Sequence, residues 1–443
     1  MLPIVSDPVS SLSGQVKIPG DQSISHLSLI LGAIADGQTC ISGLLEADDI
    51  IATTHAMRAL GANIHKEGDH WLINGIGNGS LLSPHKSLNF GNSETGSKLT
   101  IGLVSSYDFP VTFIGDSSFS IGTILDPLLL TGLQVDSKKG DRLPIRIQGA
   151  PLPMPIIYKL SVASFHIKSA ILLAGLNIAG ITTVIEPVSN RDCTEKMLAR
   201  FGANISIHVE KKERRYISIT GHKDLIAQDI IIPSDFLSAS FVIVAGLIVP
   251  SSDIIIRNLL VPPTRKAGLF KTLIEMGAGI DILEQNSFSH DTIITIRVRH
   301  SQLSAIDVPS ERTPLLTNEY PLLAVAASFA KGETRIRGIK GNECDRLSVT
   351  VEGLKANGVV CEEGKDGLII VGGNGKVKGG GIVGTDCDHR IAMSFLVMGM
   401  ASHFPIGVND INTKNPFFCT FLYLMKSLGA KLTIKKGIGG FNP

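Results

Sequence analysis

At 443 residues the chain is too long for one simple core, and 44% hydrophobic against 18% charged residues describes a packed globular protein, not a disordered or fibrous one. With 41 basic against 40 acidic residues, net charge +1 and no long basic run, nucleic acid and anionic membrane surfaces are excluded as expected partners. The longest apolar stretch, around Phe241 to Val249, is far short of a membrane span, and the opening MLPIVSDPVS lacks the pattern of a secretory signal, so the expected location is the cytoplasm.

Taken in chain order, six amphipathic stretches end in glycine and lead into a short alternating apolar run: MRALGANI, LLLTGLQV, MLARFGANI, LIEMGAGIDI, LKANGVV and LMKSLGAKLTI. The glycines are Gly61, Gly132, Gly202, Gly277, Gly358 and Gly429, spaced by 71, 70, 75, 81 and 71 residues. Each reads as a helix stopped by a residue free to take positive φ, followed by a strand. The chain is therefore expected to be six copies of one α/β unit, grouped as two domains of three.

A second helix recurs in each unit, beginning near Ser23, Ser93, Ser164, Ser238, Asn318 and Asp388, with a polar start and an apolar body of small residues. Each starting residue can cap free backbone N–H groups. If the units share one handedness, the helix N-termini gather on one side of each domain. Each then contributes roughly half a positive charge, which suits phosphate or carboxylate ligands. The six cysteines contain no C-x-x-C pair, which argues against a zinc knuckle or disulfide framework, and no metal site is expected. The glycine-rich stretch Gly372 to Gly381 lacks a Lys-Ser/Thr ending and reads as a surface loop.

The segment KIPGDQSISHLSLILGAIADGQTCISGLLEADD, Lys17 to Asp49, resembles the opening of the 5-enolpyruvylshikimate-3-phosphate synthase family. The resemblance continues through FIGDSS at Phe113, GDRLPIRIQG at Gly140, SAILLAGLNIAGITTVIEP at Ser169, PPTRKAGL at Pro262, NEYPLLAVAASFAKG at Asn318, ECDRLS at Glu343 and DHRIAMSFLVMG at Asp388. The motifs look like those of the glyphosate-insensitive bacterial branch. The resemblance implies two inverse α/β-barrel domains, each of three βαβαββ-type units, with substrates in the cleft between them. The chain would cross between domains near Gly20 and Ser234, giving a discontinuous domain of residues 1–20 plus 238–443 and an inserted domain of residues 21–237. It also implies a monomeric transferase of the shikimate pathway that needs no cofactor and joins phosphoenolpyruvate to the 5-hydroxyl of shikimate 3-phosphate. That chemistry requires cations for two phosphates and two carboxylates, and acid/base groups at the methylene carbon and the hydroxyl.

Matched position by position, the resemblance assigns Arg346 and Arg390 to phosphoenolpyruvate, a task suited to the planar guanidinium. It assigns Glu343 to acid/base work, and Ser23 and Ser164 to the shikimate phosphate, while Asp388 and His389 complete their motif and Arg191 holds a family arginine position. Several positions depart from the pattern. Gln22 replaces a lysine, Leu27 an arginine, Lys98 an arginine, Asn342 a lysine and His166 a glutamine. Asn318 replaces the aspartate that accepts the 5-hydroxyl proton, which an amide cannot do. Glu94 puts a carboxylate where the family has a small residue beside phosphoenolpyruvate, so it is expected to repel the ligand. The basic segment expected after FIGDSS is shortened and has no arginine. Losing one partner of a buried charge pair costs about 2 to 5 kcal/mol, so the losses at Gln22, Leu27, Asn342 and the loop bear directly on activity. Lys98, Lys168, Lys266 and Lys414 are the nearby cations that could compensate.

Two other readings stay open at this point. One is a catalytically weakened or inactive paralogue that binds an anionic metabolite. The other is the sister enzyme that loads enolpyruvate onto UDP-N-acetylglucosamine, whose mobile loop uses a cysteine or an aspartate. No cysteine lies between Cys40 and Cys193, and Asp116 of that region sits in the shikimate enzyme's GDSS pattern.

Overall fold

The computed structural model describes residues 3–117, 120–137, 140–162, 164–187, 192–210, 214–261, 267–288, 291–313, 316, 319–339, 344–364, 367–409 and 416–434. The chain divides into two compact units, one of Met1–Pro19 with Pro233–Pro443 and one of Gly20–Ile232.

In the unit Gly20–Ile232 the helices are α1 (Gln22–Ala33), α2 (Asp48–Ala59), α3 (Glu94–Val104), α4 (Gly122–Leu129), α5 (Phe165–Gly175) and α6 (Cys193–Arg200). In the other unit they are α7 (Phe236–Ile248), α8 (Ala267–Glu275), α9 (Tyr320–Phe329), α10 (Cys344–Ala356), α11 (His389–Ala401) and α12 (Pro416–Ser427). They alternate in character. The odd-numbered helices are apolar nearly all round and are buried along almost their whole length, with α9 buried at every residue. The even-numbered ones end at the six glycines, whose φ values are +113°, +99°, +88°, +89°, +79° and +105° in chain order. Each leads into the expected strand, and the sixfold repeat read from spacing is the repeat in the fold.

Each helix pair is served by a four-stranded sheet. In the second repeat the order is Leu88–Asn89, Val111–Ile114, Ile145–Gln148, Gln134–Asp136, with the first pairing parallel and the next two antiparallel. The third and fifth repeats have the same pattern, and this is the βαβαββ unit. The other three are completed from a distance. Asp229–Ile231 adds to the sheet of the first repeat, Ser13–Val16 to the fourth, and Ile4–Asp7 to the sixth, where it lies between Ile406–Val408 and Lys431–Ile434. Both ends of each compact unit are thereby woven into its sheets.

The buried helices pack on one another: α3 against α1 and α5, and α7, α9 and α11 as a trio. Close approach of α3 and α5 depends on Gly102, where an added Cβ would meet the Ala170 backbone oxygen at 2.6 Å. Gly102→Ala is expected to push the helices apart and cost about 1 to 3 kcal/mol, read as a lowered melting temperature. A melt identical to wild type would show that the α3–α5 contact yields freely. Among the described residues, no helix is long and apolar enough to cross a membrane.

The helix starts differ from the sequence reading in a way that bears on charge. Ser164 and Asp388 cap α5 and α11 as expected, accepting from Ile167 N at 3.4 Å and from Arg390 N at 2.7 Å. Ser93 precedes α3, but its hydroxyl donates to the Asp49 carbonyl instead. Ser23 and Ser238 lie inside their helices, whose caps are Asp21 and Asp235. An aspartate two or three residues earlier in the chain outcompetes a serine because its carboxylate also opposes the positive end of the helix dipole. Three of the six expected anion-binding N-termini therefore already carry an aspartate. The start proposed at Asn318 lies outside the described residues, and α9 begins after Glu319.

Candidate active site

In the unit containing α7 to α12, one cluster gathers at the start of α11. Arg346, in the first turn of α10, places its Nε 2.6 Å from Asp388 Oδ2, while Asp388 Oδ1 accepts from the backbone N–H groups of Arg390 and Ile391. A single carboxylate thus caps α11 and fixes a guanidinium beside the helix end. Arg390 is largely buried; burial and the Arg346 charge lower its pKa, opposed by Asp388, Asp235 and Glu319. The two arginines stand among three carboxylates, of which Asp388 fixes the Arg346 guanidinium before any ligand arrives. Asp235 and Glu319 escaped the sequence reading, although an acid directly before an apolar helix is a readable signal.

Next to Arg390, His389 stacks on Phe417 with ring centroids 6.2 Å apart. Burial, then the Arg390 charge, pushes its pKa down to about 4, so it is neutral near neutral pH. Ser238, His389 and Arg390 border a cavity of about 30 Å3 whose remaining wall is apolar, from Phe241, Met393 and Phe421 among others. That is room for a water molecule or two. The lowered imidazole pKa has a consequence for stability. As pH falls below about 6.5 the unfolded chain takes up a proton that folded His389 refuses until about 4, so stability declines across that window. The loss is on the order of 3 kcal/mol. Denaturant titrations of His389→Gln are expected to show a flatter pH dependence between 6.5 and 4, and an unchanged slope would overturn the assignment.

The other compact unit carries a second group, at the starts of α1, α3 and α5. Gln22 donates through Nε2 to Asp49 Oδ2. His26, fully buried, hydrogen-bonds through Nδ1 with Thr53 Oγ1 at 2.9 Å and holds Nε2 3.6 Å from Asp49 Oδ2. Burial works to raise the Asp49 pKa, but hydrogen bonds and charge from His26, with help from Gln22 and the Ile50 N–H, bring it below the usual carboxylate range. Asp49 and His26 were not singled out from sequence. Ser23 is buried in the first turn of α1, and Leu27 is a fully buried core side chain one turn on.

At the start of α3, Lys98 Nζ lies 2.6 Å from Glu94 Oε1, an i,i+4 pair in which the lysine side chain is 8% exposed and the glutamate 42%. This revises two expectations. Glu94 does not face a ligand as a bare charge, and Lys98 is engaged by Glu94. Thr95 Oγ1 lies 3.1 Å from His166 Nε2, linking the first turns of α3 and α5 next to Ser164. Lys168 is no spare cation either: fully buried, its Nζ sits 2.9 Å from Glu186 and 2.8 Å from Glu195. Arg191, Lys266, Asn318, Asn342, Glu343 and Lys414 lie outside the described residues. Among the described residues, no group of three or more His, Cys, Asp or Glu is placed to hold a metal ion.

Comparison with known proteins adds the following. A family model described as EPSP synthase (3-phosphoshikimate 1-carboxyvinyltransferase) matches residues 6–423. The chain is 49% identical over 431 residues to the 3-phosphoshikimate 1-carboxyvinyltransferase of Pseudomonas sp. (strain PG2982), covering 96% of each. It is 49% identical over 429 residues to that of Brucella melitensis biotype 1, covering 95% of each. Among solved structures, EPSP synthase from Acinetobacter baumannii superposes with a TM-score of 0.88 at 34% identity, over 98% of this chain and 100% of that one.

Proposed function

The chain belongs to the EPSP synthase (3-phosphoshikimate 1-carboxyvinyltransferase) family, and we propose that it transfers the enolpyruvyl group of phosphoenolpyruvate to the 5-hydroxyl of shikimate 3-phosphate. The observation that carries this reading is likeness to the named transferases along nearly the whole chain, 96% of it at 49% identity. In the reaction the 5-hydroxyl gives up its proton to a base as its oxygen bonds to the enol carbon, while the methylene carbon gains a proton from an acid. The tetrahedral adduct then loses that proton and phosphate, restoring the double bond.

The unit with α11 supplies the groups proposed for phosphoenolpyruvate. Arg346, already oriented by Asp388, and Arg390, in the first turn of the helix that Asp388 caps, pair with the ligand's carboxylate and phosphate. Glu343 is the proposed acid/base residue. Asn318 can hold the 5-hydroxyl by a hydrogen bond but cannot take its proton. The unit with α5 supplies Ser164 and Ser23 for the shikimate phosphate, with His166 in the first turn of α5 and Arg191 as further proposed ligands. Gln22 and Leu27, bonded to Asp49 and buried in the core respectively, bring no charge to the site. Lys98 is the cation of α3 that can be released to a ligand.

The working form is proposed to be a cytoplasmic monomer of the glyphosate-insensitive branch, which gel filtration and inhibition by the herbicide would check. The test of function is steady-state phosphate release with both substrates, run beside Arg390→Ala to exclude a contaminating enzyme. Turnover that vanishes in the variant supports the transferase. Absence of turnover in both, with shikimate 3-phosphate still bound in calorimetry, would replace catalysis by metabolite binding.

A further inference from the structure

The buried charges around Lys168 stand at one end of α5, the end that carries Ser164. Lys168 Nζ lies 2.8 Å from Glu195 in the first turn of α6 and 2.9 Å from Glu186 at the end of the strand Ile181–Glu186. Arg215, at the start of the strand Arg215–Thr220, comes within 3.4 Å of Glu186 and 3.8 Å of Glu195. The other three members of the network, Lys168, Glu186 and Glu195, are at most 1% exposed. One position along, Ser169 Oγ shares a 2.7 Å hydrogen bond with Thr194 Oγ1, a second link between the same two helix starts. The Lys168 backbone N–H donates to the Ser164 carbonyl at 3.2 Å, so the residue that anchors the network also closes the turn that Ser164 caps. Burial raises the Glu195 pKa, against the pull of Lys168.

Such a network is an inefficient way to add stability, because apolar side chains of similar volume generally serve as well without the desolvation penalty. What it supplies is fixed geometry at one helix end. We propose that Lys168 and Glu195, with Glu186 and Arg215, are positioning residues that lock the first turn of α5 onto α6, so that Ser164 and His166 are held in place for the phosphate of shikimate 3-phosphate. This rests on the reading of Ser164 as a phosphate ligand. Because a misplacement of about 1 Å at a binding group can cost up to about a hundredfold, loosening the clamp acts on one substrate more than on the other.

The test uses the full chain and three variants, Lys168→Met, Glu195→Gln and Lys168→Arg. For Lys168→Met and Glu195→Gln the KM for shikimate 3-phosphate is expected to rise roughly ten- to a hundredfold, with the KM for phosphoenolpyruvate changed by less than about threefold, and Lys168→Arg is expected to recover most of the loss. Amide exchange at residues 167–169 is expected to quicken in the two damaging variants. Lys168→Met leaves two carboxylates facing each other; where it fails to fold, Glu195→Gln, which keeps the shape, decides. A folded variant with unchanged KM for shikimate 3-phosphate, or with equal rises for both substrates, overturns the proposal. Wild-type protein that neither turns over nor binds shikimate 3-phosphate overturns the transferase reading instead, and amide exchange then decides the clamp, unchanged protection at residues 167–169 sinking it.

Discussion

Arg390→Ala is expected to lower kcat/KM for phosphoenolpyruvate about a thousandfold while the protein still folds. Truncating one partner of a buried charge pair costs about 2 to 5 kcal/mol, and a thousandfold loss corresponds to about 4 kcal/mol. Arg390 belongs at the upper end of that range because it is largely buried at the start of α11, where its backbone N–H is also held by the cap Asp388. The carboxylates of Asp388, Asp235 and Glu319 remain when the guanidinium goes, so the variant loses an attractive charge and uncovers repulsive ones. Arg390→Lys separates the two contributions. It restores charge but not the planar fork, and is expected to recover about one order of magnitude at most. Near-wild-type kcat/KM in a folded Arg390→Ala protein would remove Arg390 from the substrate site and with it the proposed arrangement.

How much of this could be read from the chain depends on whether the feature is local. The stops at Gly61 through Gly429 follow from a backbone conformation that glycine alone adopts without strain, so the sixfold repeat was legible. Cap identity was half legible: Ser164 and Asp388 cap as read, whereas Asp21 and Asp235 displace Ser23 and Ser238 because two candidate caps lie within three residues of each other. Partners of the lysines were legible only where the partner is near in sequence. Glu94 and Lys98 stand at i,i+4 on a helix, a spacing that announces an ion pair. The partners of Lys168 are Glu186 and Glu195, brought to it by a strand end and the next helix, and no local pattern reveals them. The same holds for Gln22, whose amide is engaged by Asp49 from the start of α2.

Glu94→Ala is expected to improve binding of the anionic substrates, the reverse of what removing an ion-pair partner usually does. In the wild type Glu94 occupies Lys98 Nζ at 2.6 Å, and the pair presents no net charge at the start of α3. Removing the carboxylate leaves one unneutralised lysine there. Near a protein surface, at an effective dielectric constant of about 20, unit charges about 8 Å apart interact by about 2 kcal/mol, which is roughly a thirtyfold gain in affinity for each ligand charge at that distance. Against this stands the loss of the pair itself, which costs folding stability more than the roughly 0 to 1 kcal/mol of an exposed pair because the lysine is only 8% exposed. Affinity therefore rises even as folding stability falls. The gain is expected to shrink between low salt and about 0.5 M salt, as screening demands of a charge that works through solvent. Glu94→Gln, which keeps the shape and removes only the charge, is expected to reproduce most of it. Equal or weaker binding in both variants, measured by calorimetry at low salt, would mean that Lys98 does not reach the ligand and that the substituted site draws its positive charge from elsewhere.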